Sequence, residues 1–345
     1  MYKFLTIISI ISTLNINAQS NGAQYKVVKK INVIGDGGWD FLAIDEPAQH
    51  LFLSHGTVVN VLDLKTEKTV ATISDTKGVH GIAIANDLNK GFISNGKDTS
   101  ITVFDLKTFV TLSKIKIKGI NPDDILYDEF SHKVFIFNGK SKDATILDAK
   151  TNQIIETIQL DGKPEVSVTD GQGNIYVNIE DKSTITVIDA TTLKIKNVWS
   201  IAPGEEPTGL AIDTKTHRLF SGCGNKLMVM LNAENGKVIS TLPIGEGCDG
   251  VAFDSERKYA YSCNGEGTIT VIKEQDENTF KVIETISTQK GARTITLNKT
   301  THQLFTPTAE YAERPEPTKE NPKPRPSIKP NSFVVLVVED VIAVH

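Results

Sequence analysis

A two-strand unit that recurs along nearly the whole chain constrains the fold more than any other feature of the sequence. Its clearest copy runs from Ile175 to Ala190, where two β-branched runs flank the polar turn Glu-Asp-Lys-Ser. Such runs around a polar turn predict an antiparallel hairpin. Similar units begin at five other positions, Leu51, Gly91, Val134, Leu219 and Ala260. A supersecondary unit repeated at a regular period indicates a solenoid or a propeller.

A second repeated element precedes the hairpins and supplies the number of units. It is a turn containing Gly or Pro followed by a short apolar strand, as in GGWDFLAID at 37–45 and GARTITLN at 291–298. Aligning seven copies places one residue of each in a single column: Asp40, His80, Asp123, Glu165, Thr208, Asp249 and Arg293. Neighbouring members of this column are 40 to 44 positions apart, which leaves room for four short strands. We therefore predict an all-β fold, a seven-bladed β-propeller of four-stranded blades.

The two ends of the chain are expected to meet in the last blade. The seventh copy has candidates for its first three strands, and the third of these is at 333–338, but no fourth strand follows. The segment VVKKINVI at 27–34 resembles the fourth strands of other units, such as VIETIST at 282–288. We therefore predict that the N-terminal strand completes the last blade and closes the ring. A closed ring has no open radial edge that demands pairing, and we expect a monomer.

Charge and hydropathy exclude two classes of partner. The chain has 345 residues, with 37 Lys and Arg against 42 Asp and Glu, and a formal net charge of −5. This balance argues against a nucleic-acid partner, which requires a basic face. No apolar run is long enough to cross a bilayer comfortably, so we expect no membrane span.

The first 18 residues have the pattern of a secretory signal peptide. One cation, Lys3, precedes an apolar run from Phe4 to Ile16, and the small residue Ala18 suits a cleavage site. We therefore expect residues 1–18 to be removed and the protein to be exported, either to a periplasm or to the medium. Residues 19–345 would then form a single propeller domain.

Short sequence patterns in the hairpins resemble a known family. Tyr176-Val177 followed by Asn178, with FISNG at 92–96 and YSCNG at 261–265, resembles the second-strand signature of YVTN-repeat (YncE-like) β-propellers. The third strands ITVFD at 101–105 and ITVID at 185–189 fit that family more closely. The resemblance covers about residues 25 to 339 and implies the propeller fold. Similar propellers include lactonases, haem- or quinone-dependent enzymes and binding scaffolds, so the fold does not choose an activity.

The aligned column supplies the candidate site. In a propeller, the turns into the first strands and the turns after the second strands open on one face around the channel. Seven residues of these turns are candidate ligand-binding residues: Asp40, His55, His80, Asp123, Glu165, Asp249 and Arg293. Crowded carboxylates repel one another unless a cation, a proton or an arginine compensates them. We expect a small polar molecule or a protein partner at this mouth, while a merely hydrated polar channel is the alternative.

Two more specific hypotheses concern the same site: it binds a divalent metal, or it is the active site of a hydrolase. The candidate metal ligands are Asp40, His55, His80 and Glu165, because carboxylates with imidazole suit Zn, Mn or Fe. A lactonase-like hydrolase, metal-dependent or not, would use His80 as base, Glu165 as acid and Arg293 as oxyanion stabiliser. No short ligand motif such as H-x-H or C-x-x-C is present, so either site must be assembled from separate blades.

Three cysteines and one insertion complete the candidates. Cys223, Cys248 and Cys263 allow one disulfide, for which we favour Cys223–Cys248, or three small buried thiols.

Blade seven contains a proline-rich insertion at 307–331, where prolines prevent regular strand pairing. Three interpretations stay open for it: a lid over the channel using Tyr311, Arg314 and Arg325, a solvated loop, or a surface that docks a protein.

Overall fold

The protein is a closed ring of seven antiparallel sheets, as the repeat predicts. The computed structural model describes residues 24–342 except 36, 320, 321 and 323. The predicted signal peptide at 1–18 lies outside these described residues. Within them, no helix has the length and hydropathy that a bilayer crossing requires.

Each of the first six sheets is built from four consecutive strands. The N-terminal strand β1 (Tyr25–Asn32) belongs to blade seven, and blade one contains β2 (Trp39–Asp45), β3 (His50–His55), β4 (Val58–Asp63) and β5 (Lys68–Ile73). Blade two contains β6 (Val79–Ala85), β7 (Lys90–Asn95), β8 (Ser100–Asp105) and β9 (Thr111–Lys116). Blade three contains β10 (Pro122–Asp128), β11 (Lys133–Asn138), β12 (Asp143–Asp148) and β13 (Ile154–Gln159).

The next three sheets repeat this order. Blade four contains β14 (Pro164–Thr169), β15 (Asn174–Ile179), β16 (Thr184–Asp189) and β17 (Ile195–Ser200). Blade five contains β18 (Pro207–Asp213), β19 (Arg218–Cys223), β20 (Leu227–Asn232) and β21 (Val238–Pro243). Blade six contains β22 (Cys248–Asp254), β23 (Tyr259–Asn264), β24 (Thr268–Asp276) and β25 (Thr279–Ser287). Short 3₁₀ turns lie at Asn86–Leu88 and Glu180–Lys182.

Blade seven joins the two ends of the chain. Its strands are β26 (Thr296–Leu297), β27 (Leu304–Thr308), β28 (Val334–Asp340) and the N-terminal β1 (Tyr25–Asn32), which pairs antiparallel with β28. The predicted closure is therefore confirmed, with β1 beginning two residues before the predicted strand at 27–34. The Tyr25 hydroxyl also contacts the Tyr261 hydroxyl of blade six at 2.6 Å.

The core lies between the blades, with one apolar cluster at each of the seven interfaces. Neighbouring residues of a strand point to opposite faces of its sheet, so each blade supplies side chains to two clusters. In blade five, Leu219 packs toward blade four while Phe220 stacks on Phe253 of blade six, with ring centroids 4.9 Å apart. Buried asparagines reinforce single blades. Asn95 of β7, for example, donates to Thr102 of β8 at 2.9 Å.

The proline-rich insertion has a more ordered base than the sequence predicts. Strand β27 extends to Thr308 and β28 begins at Val334, so the connection begins and ends two residues later than the predicted 307–331. Tyr311 and Ile328 form an antiparallel bridge, and the Ala312 amide donates to the Ser327 carbonyl at 2.8 Å. Pro315, Pro317, Pro322, Pro324 and Pro326 lie beyond this short ladder, where the described residues form no regular strand. The insertion therefore leaves the blade as a paired stalk.

Candidate ligand site at the channel mouth

A β-bulge at the start of the inner strand orients the column residue in each of the first six blades. In β2 the register shifts between Trp39 and Leu42, and in β6 it shifts between Val79 and Ile82. Asp40 and His80 lie within these two bulges. A bulge inserts an unpaired residue and redirects its side chain. The same shift occurs in β10, β14, β18 and β22.

Serines of the second strands satisfy backbone groups that the bulges leave without ladder partners. The Asp40 amide donates to Ser54 Oγ at 2.9 Å, and the Gly81 amide donates to Ser94 Oγ at 2.8 Å. The Ser94 hydroxyl in turn donates to the Asp123 carbonyl of the next blade at 2.5 Å. The bulged segments are thereby held against one another around the ring, which fixes where their side chains point.

One charged network joins blades one, two, three, six and seven. His80 Nδ1 lies 2.6 Å from Asp40 Oδ2 and 3.5 Å from Asp123 Oδ1. Arg293 Nε donates to Asp249 Oδ2 at 2.7 Å, and its Nη2 lies 3.6 Å from Asp40 Oδ1. Asp40 therefore connects the imidazole with the guanidinium. The same Nη2 donates to the Trp39 carbonyl at 3.0 Å.

A second network occupies blade four. Lys163 Nζ contacts Glu165 Oε1 at 2.6 Å and Glu180 Oε2 at 2.5 Å. Lys163 was not among the residues predicted from the sequence, although it lies only two positions before Glu165 in the same turn. Glu180 follows the last residue of the second strand of this blade, Ile179, which pairs with Pro164 as His55 pairs with Trp39 in blade one. The Glu180 amide donates to the Lys163 carbonyl at 2.9 Å, which holds the two turns together.

The column residues converge on one cavity of about 210 Å³ at the channel mouth. Its walls include five carboxylates and two cationic side chains: Asp40, Asp123, Glu165, Glu180 and Asp249, with Lys163 and Arg293. Thr208 also lines it, while its hydroxyl donates to the Cys248 carbonyl at 2.6 Å. Six of the seven column residues therefore line the cavity, and His80 contacts two of them.

Burial shifts the protonation of these acids upward. Burial raises the pKa of Asp123 from 3.8 to about 6, against the opposing charge of His80. Burial also raises the pKa of Asp249 and of Glu165, in the latter case against a hydrogen bond from Lys163. For His80, burial lowers the pKa, but the Asp40 hydrogen bond and the Asp123 charge together raise it more. The mouth therefore holds protons more tightly than isolated groups would.

A solved structure shares this architecture. The chain is similar to the WD40 repeats of RRP9, with a TM-score of 0.76 and 8% sequence identity, over 92% of this chain and 100% of that chain. The fold is a seven-bladed β-propeller. At this low identity the likeness concerns the fold alone. No family model matches the chain, and no curated protein matches it either.

His55 lies away from the carboxylate cluster. This predicted ligand and metal candidate is buried, stacks on Phe333 with ring centroids 4.0 Å apart, and bonds Asn60 through Nδ1 at 3.1 Å. It therefore packs between blades one and seven. Asn95, Asn138 and Asn264, at the matching positions of other blades, are also buried and donate to their own third strands. This second column stabilises the blades.

The cysteines do not form the predicted Cys223–Cys248 disulfide. All three are free and buried. Cys223 packs in the cluster between blades four and five, whereas Cys248 packs in the cluster between blades five and six. The two thiols therefore lie on opposite faces of blade five. The alternative interpretation, small buried side chains, describes their surroundings.

Asp124 is a buried acid beside the site that the sequence analysis did not single out. Its Oδ2 accepts hydrogen bonds from the Ser167 amide at 2.9 Å and the Ser167 hydroxyl at 2.5 Å. Burial raises its pKa to about 7, against these hydrogen bonds. These hydrogen bonds join blade three to blade four. In sequence only its position next to Asp123 could have indicated it.

Proposed function

We propose that this propeller is a binding protein whose channel mouth takes a small cationic ligand, with a divalent metal ion as its simplest occupant. The observation that carries the proposal is the charge of the cavity, where five carboxylates meet two cationic side chains. Carboxylates that line one small, partly buried cavity repel one another. A bound cation would relieve this repulsion, as protons do through the raised pKa values.

The size of the cavity favours a small occupant. At about 30 Å³ for each water molecule, a space of about 210 Å³ holds roughly seven waters. Typical sites for drug-sized ligands have about 300–1,000 Å³. A partly hydrated metal ion or a primary ammonium group fits this space.

Three side chains offer a donor set for a metal. Asp40, His80 and Asp123 each supply one ligand atom, and these atoms lie within 4.8 Å of one another. Carboxylate and imidazole donors suit Mn, Fe or Zn. A metal would have to compete with protonation of His80, because only the neutral imidazole is a ligand. We therefore expect affinity for metal to fall as the pH is lowered.

No observation specifically favours the hydrolase alternative. His80 and Arg293 belong to one network, and Arg293 already bonds Asp249 and the Trp39 carbonyl. Glu165 belongs to the separate network with Lys163. In a hydrolase, the base, the acid and the oxyanion stabiliser would have to reach the same reacting group of the substrate from these two networks.

Export and kinship with YVTN-repeat propellers are part of the same proposal. Their support is the leader pattern of residues 1–18 and the strand motifs around Tyr176 and at 101–105. Expression of the full chain in a secreting host, followed by N-terminal mass spectrometry, tests the export. The expected mature end is Gln19, and an uncleaved chain retained in the cytoplasm would contradict it.

Metal content decides the main proposal. The untagged protein should retain near-stoichiometric metal on elemental analysis, or bind Mn²⁺ in calorimetry, and chelator should lower its melting temperature. Asp123→Asn should weaken Mn²⁺ binding by at least about tenfold, since it removes a charged ligand. Glu129→Gln is the matched control, because Glu129 is exposed and does not line the cavity. If the protein binds neither divalent ions nor alkylammonium ions, the proposal is refuted.

A further inference from the structure

A second and larger cavity lies between the proline-rich insertion and the ring. It has a volume of about 710 Å³, within the range of about 300–1,000 Å³ of small-molecule sites. Arg293 lines both this space, called here the insertion cavity, and the channel mouth. The two sites thus share one wall but differ in charge.

Glycines and the stalk of the insertion create this space. Gly247, Gly265 and Gly291 line its ring side, joined in series by backbone hydrogen bonds of 2.8 Å. Gly291 has a φ of +91°, and a Cβ there would lie 2.8 Å from Tyr311 Oη. A side chain at this position would therefore collide with the wall that the insertion provides.

The charged lining is entirely cationic. Four basic residues face the insertion cavity, and no acidic residue lines it: Lys290, Arg293, Arg314 and Arg325. Arg293 is paired with Asp249. Within the described part of the chain, Lys290, Arg314 and Arg325 have no carboxylate within ion-pair distance, whereas Lys329 of the same insertion is paired with Glu310 at 3.0 Å. The insertion thus keeps its two arginines available.

The stalk of the insertion carries both arginines to the cavity. Tyr311 pairs with Ile328, and the Ala312 amide donates to the Ser327 carbonyl. Arg314 and Arg325 follow two residues outward from Ala312 and Ser327, and both line the cavity. Cationic side chains that share one cavity repel one another unless an anion compensates them. Guanidinium groups bind the oxygens of carboxylates and phosphates in a bidentate manner.

We propose that the insertion cavity binds a small organic oxyanion, a carboxylate or a phosphate monoester, that carries an apolar group. Arg314, Arg325 and Lys290 hold the anionic head. Tyr311, Ala312 and Ile328 line the same cavity and contact the apolar body. None of these six residues lines the channel mouth, and Arg293 is the residue that the two cavities share.

Calorimetry with three probes of one shape tests the proposal. Phenyl phosphate and benzoate should bind the purified protein, and benzyl alcohol, which lacks the charge, should not. The stronger of the two anions identifies the preferred head group. The double variant R314Q/R325Q should weaken binding at least about tenfold, since each lost charged hydrogen bond has an effect of this order.

Two further variants keep the result interpretable. K319Q removes one positive charge from the same insertion at a residue that does not line the cavity, and it should bind as the unmodified protein does. K290Q changes the ring side and should weaken binding even if the double variant disturbs the insertion. Asp123→Asn should leave anion binding intact, which separates this site from the channel mouth. The proposal would be overturned if neither anion binds at concentrations up to about 10 mM. It would also be overturned if R314Q/R325Q and K290Q both bind the anions as tightly as the unmodified protein does.

Discussion

His80 of blade two lies 2.6 Å from Asp40 of blade one through Nδ1 and Oδ2, and the Asp40 carboxylate also faces Arg293 of blade seven. Burial lowers the pKa of His80, but this hydrogen bond and the charge of Asp123 raise it above 6.5 on balance. We predict that Asp40→Asn lowers the pKa of His80, because the replacement has no negative charge. A titration of the imidazole C–H resonances by NMR measures this change.

His132 provides an internal control in the same spectra. It contacts Asp87 at 3.2 Å on blades two and three and has no contact with Asp40. At a fixed pH, its resonances should have the same chemical shifts in both proteins. If the pKa of His80 rises in Asp40→Asn, the assigned role of the hydrogen bond is wrong.

The free energy of unfolding should be greater near pH 5 than near pH 8. Burial raises the pKa of Asp123 to about 6 and that of Asp124 to about 7, both from 3.8. The folded state therefore binds these protons more tightly than the unfolded state, so stability increases as the pH falls through 7 and 6 and levels off near 3.8. His80 acts in the same direction: its contribution is complete below 6.5 and is lost as the pH rises through its raised folded pKa.

Urea unfolding followed by tryptophan fluorescence at the two pH values measures this effect. Asp123→Asn should reduce the difference, because it removes one of the titrating groups. Glu129→Gln, at an exposed acid, should leave it unchanged. A higher urea midpoint at pH 8 than at pH 5 in the unmodified protein would contradict the predicted sign.

The three thiols should be inert until the protein unfolds. Burial raises the pKa of Cys223 and of Cys263 to about 12, so almost no thiolate is present at neutral pH. We predict no reaction with iodoacetamide in the native state and three alkylated cysteines in denaturant without reductant. Mass spectrometry counts the labels. A single label in denaturant would indicate that a disulfide had formed.

The hydroxyl of Tyr25 should contribute more to the free energy of unfolding than the hydroxyl of the nearby Tyr259. Tyr25 Oη contacts the buried Tyr261 Oη at 2.6 Å, and Arg257 Nη1 donates to Tyr25 Oη at 3.2 Å. Tyr25→Phe leaves the Tyr261 hydroxyl without this partner and should cost about 1–3 kcal/mol. Tyr259→Phe is the matched control, since no described residue bonds the Tyr259 hydroxyl. Equal urea midpoints for the two variants would argue against this link between blades six and seven.

The number and order of the blades could be predicted from the sequence, because each blade is formed by one consecutive repeat unit. Each unit begins with the same turn and strand, so aligning the turns also aligned the residues that face the channel. Asp40 and Asp249, more than two hundred positions apart, could be placed in one cavity by this argument alone. The N-terminal strand was placed by its likeness to the other fourth strands, and its pairing with β28 agrees.

The residues whose surroundings were wrongly predicted owe their positions to neighbours that the repeat does not reveal. His55 is covered by Phe333, which follows the proline-rich insertion at the far end of the chain. The faces on which Cys223 of blade five and Cys248 of blade six lie depend on the strand register within each blade, which a spacing argument does not provide. Tyr311 and Ile328 pair across a proline-rich stretch without alternating hydrophobicity, and the sequence therefore predicted no strand pairing there.

The position of β28 has a consequence for how the molecule is made. This strand lies between β27, which is synthesised shortly before it, and β1, which is synthesised first. While a ribosome still holds the segment around Val334–Asp340, β1 has no neighbour in its own sheet and the ring is open. A polypeptide that stops before this segment leaves two unpaired edges exposed, and such edges promote aggregation. Ring closure thus distinguishes finished chains from prematurely terminated ones.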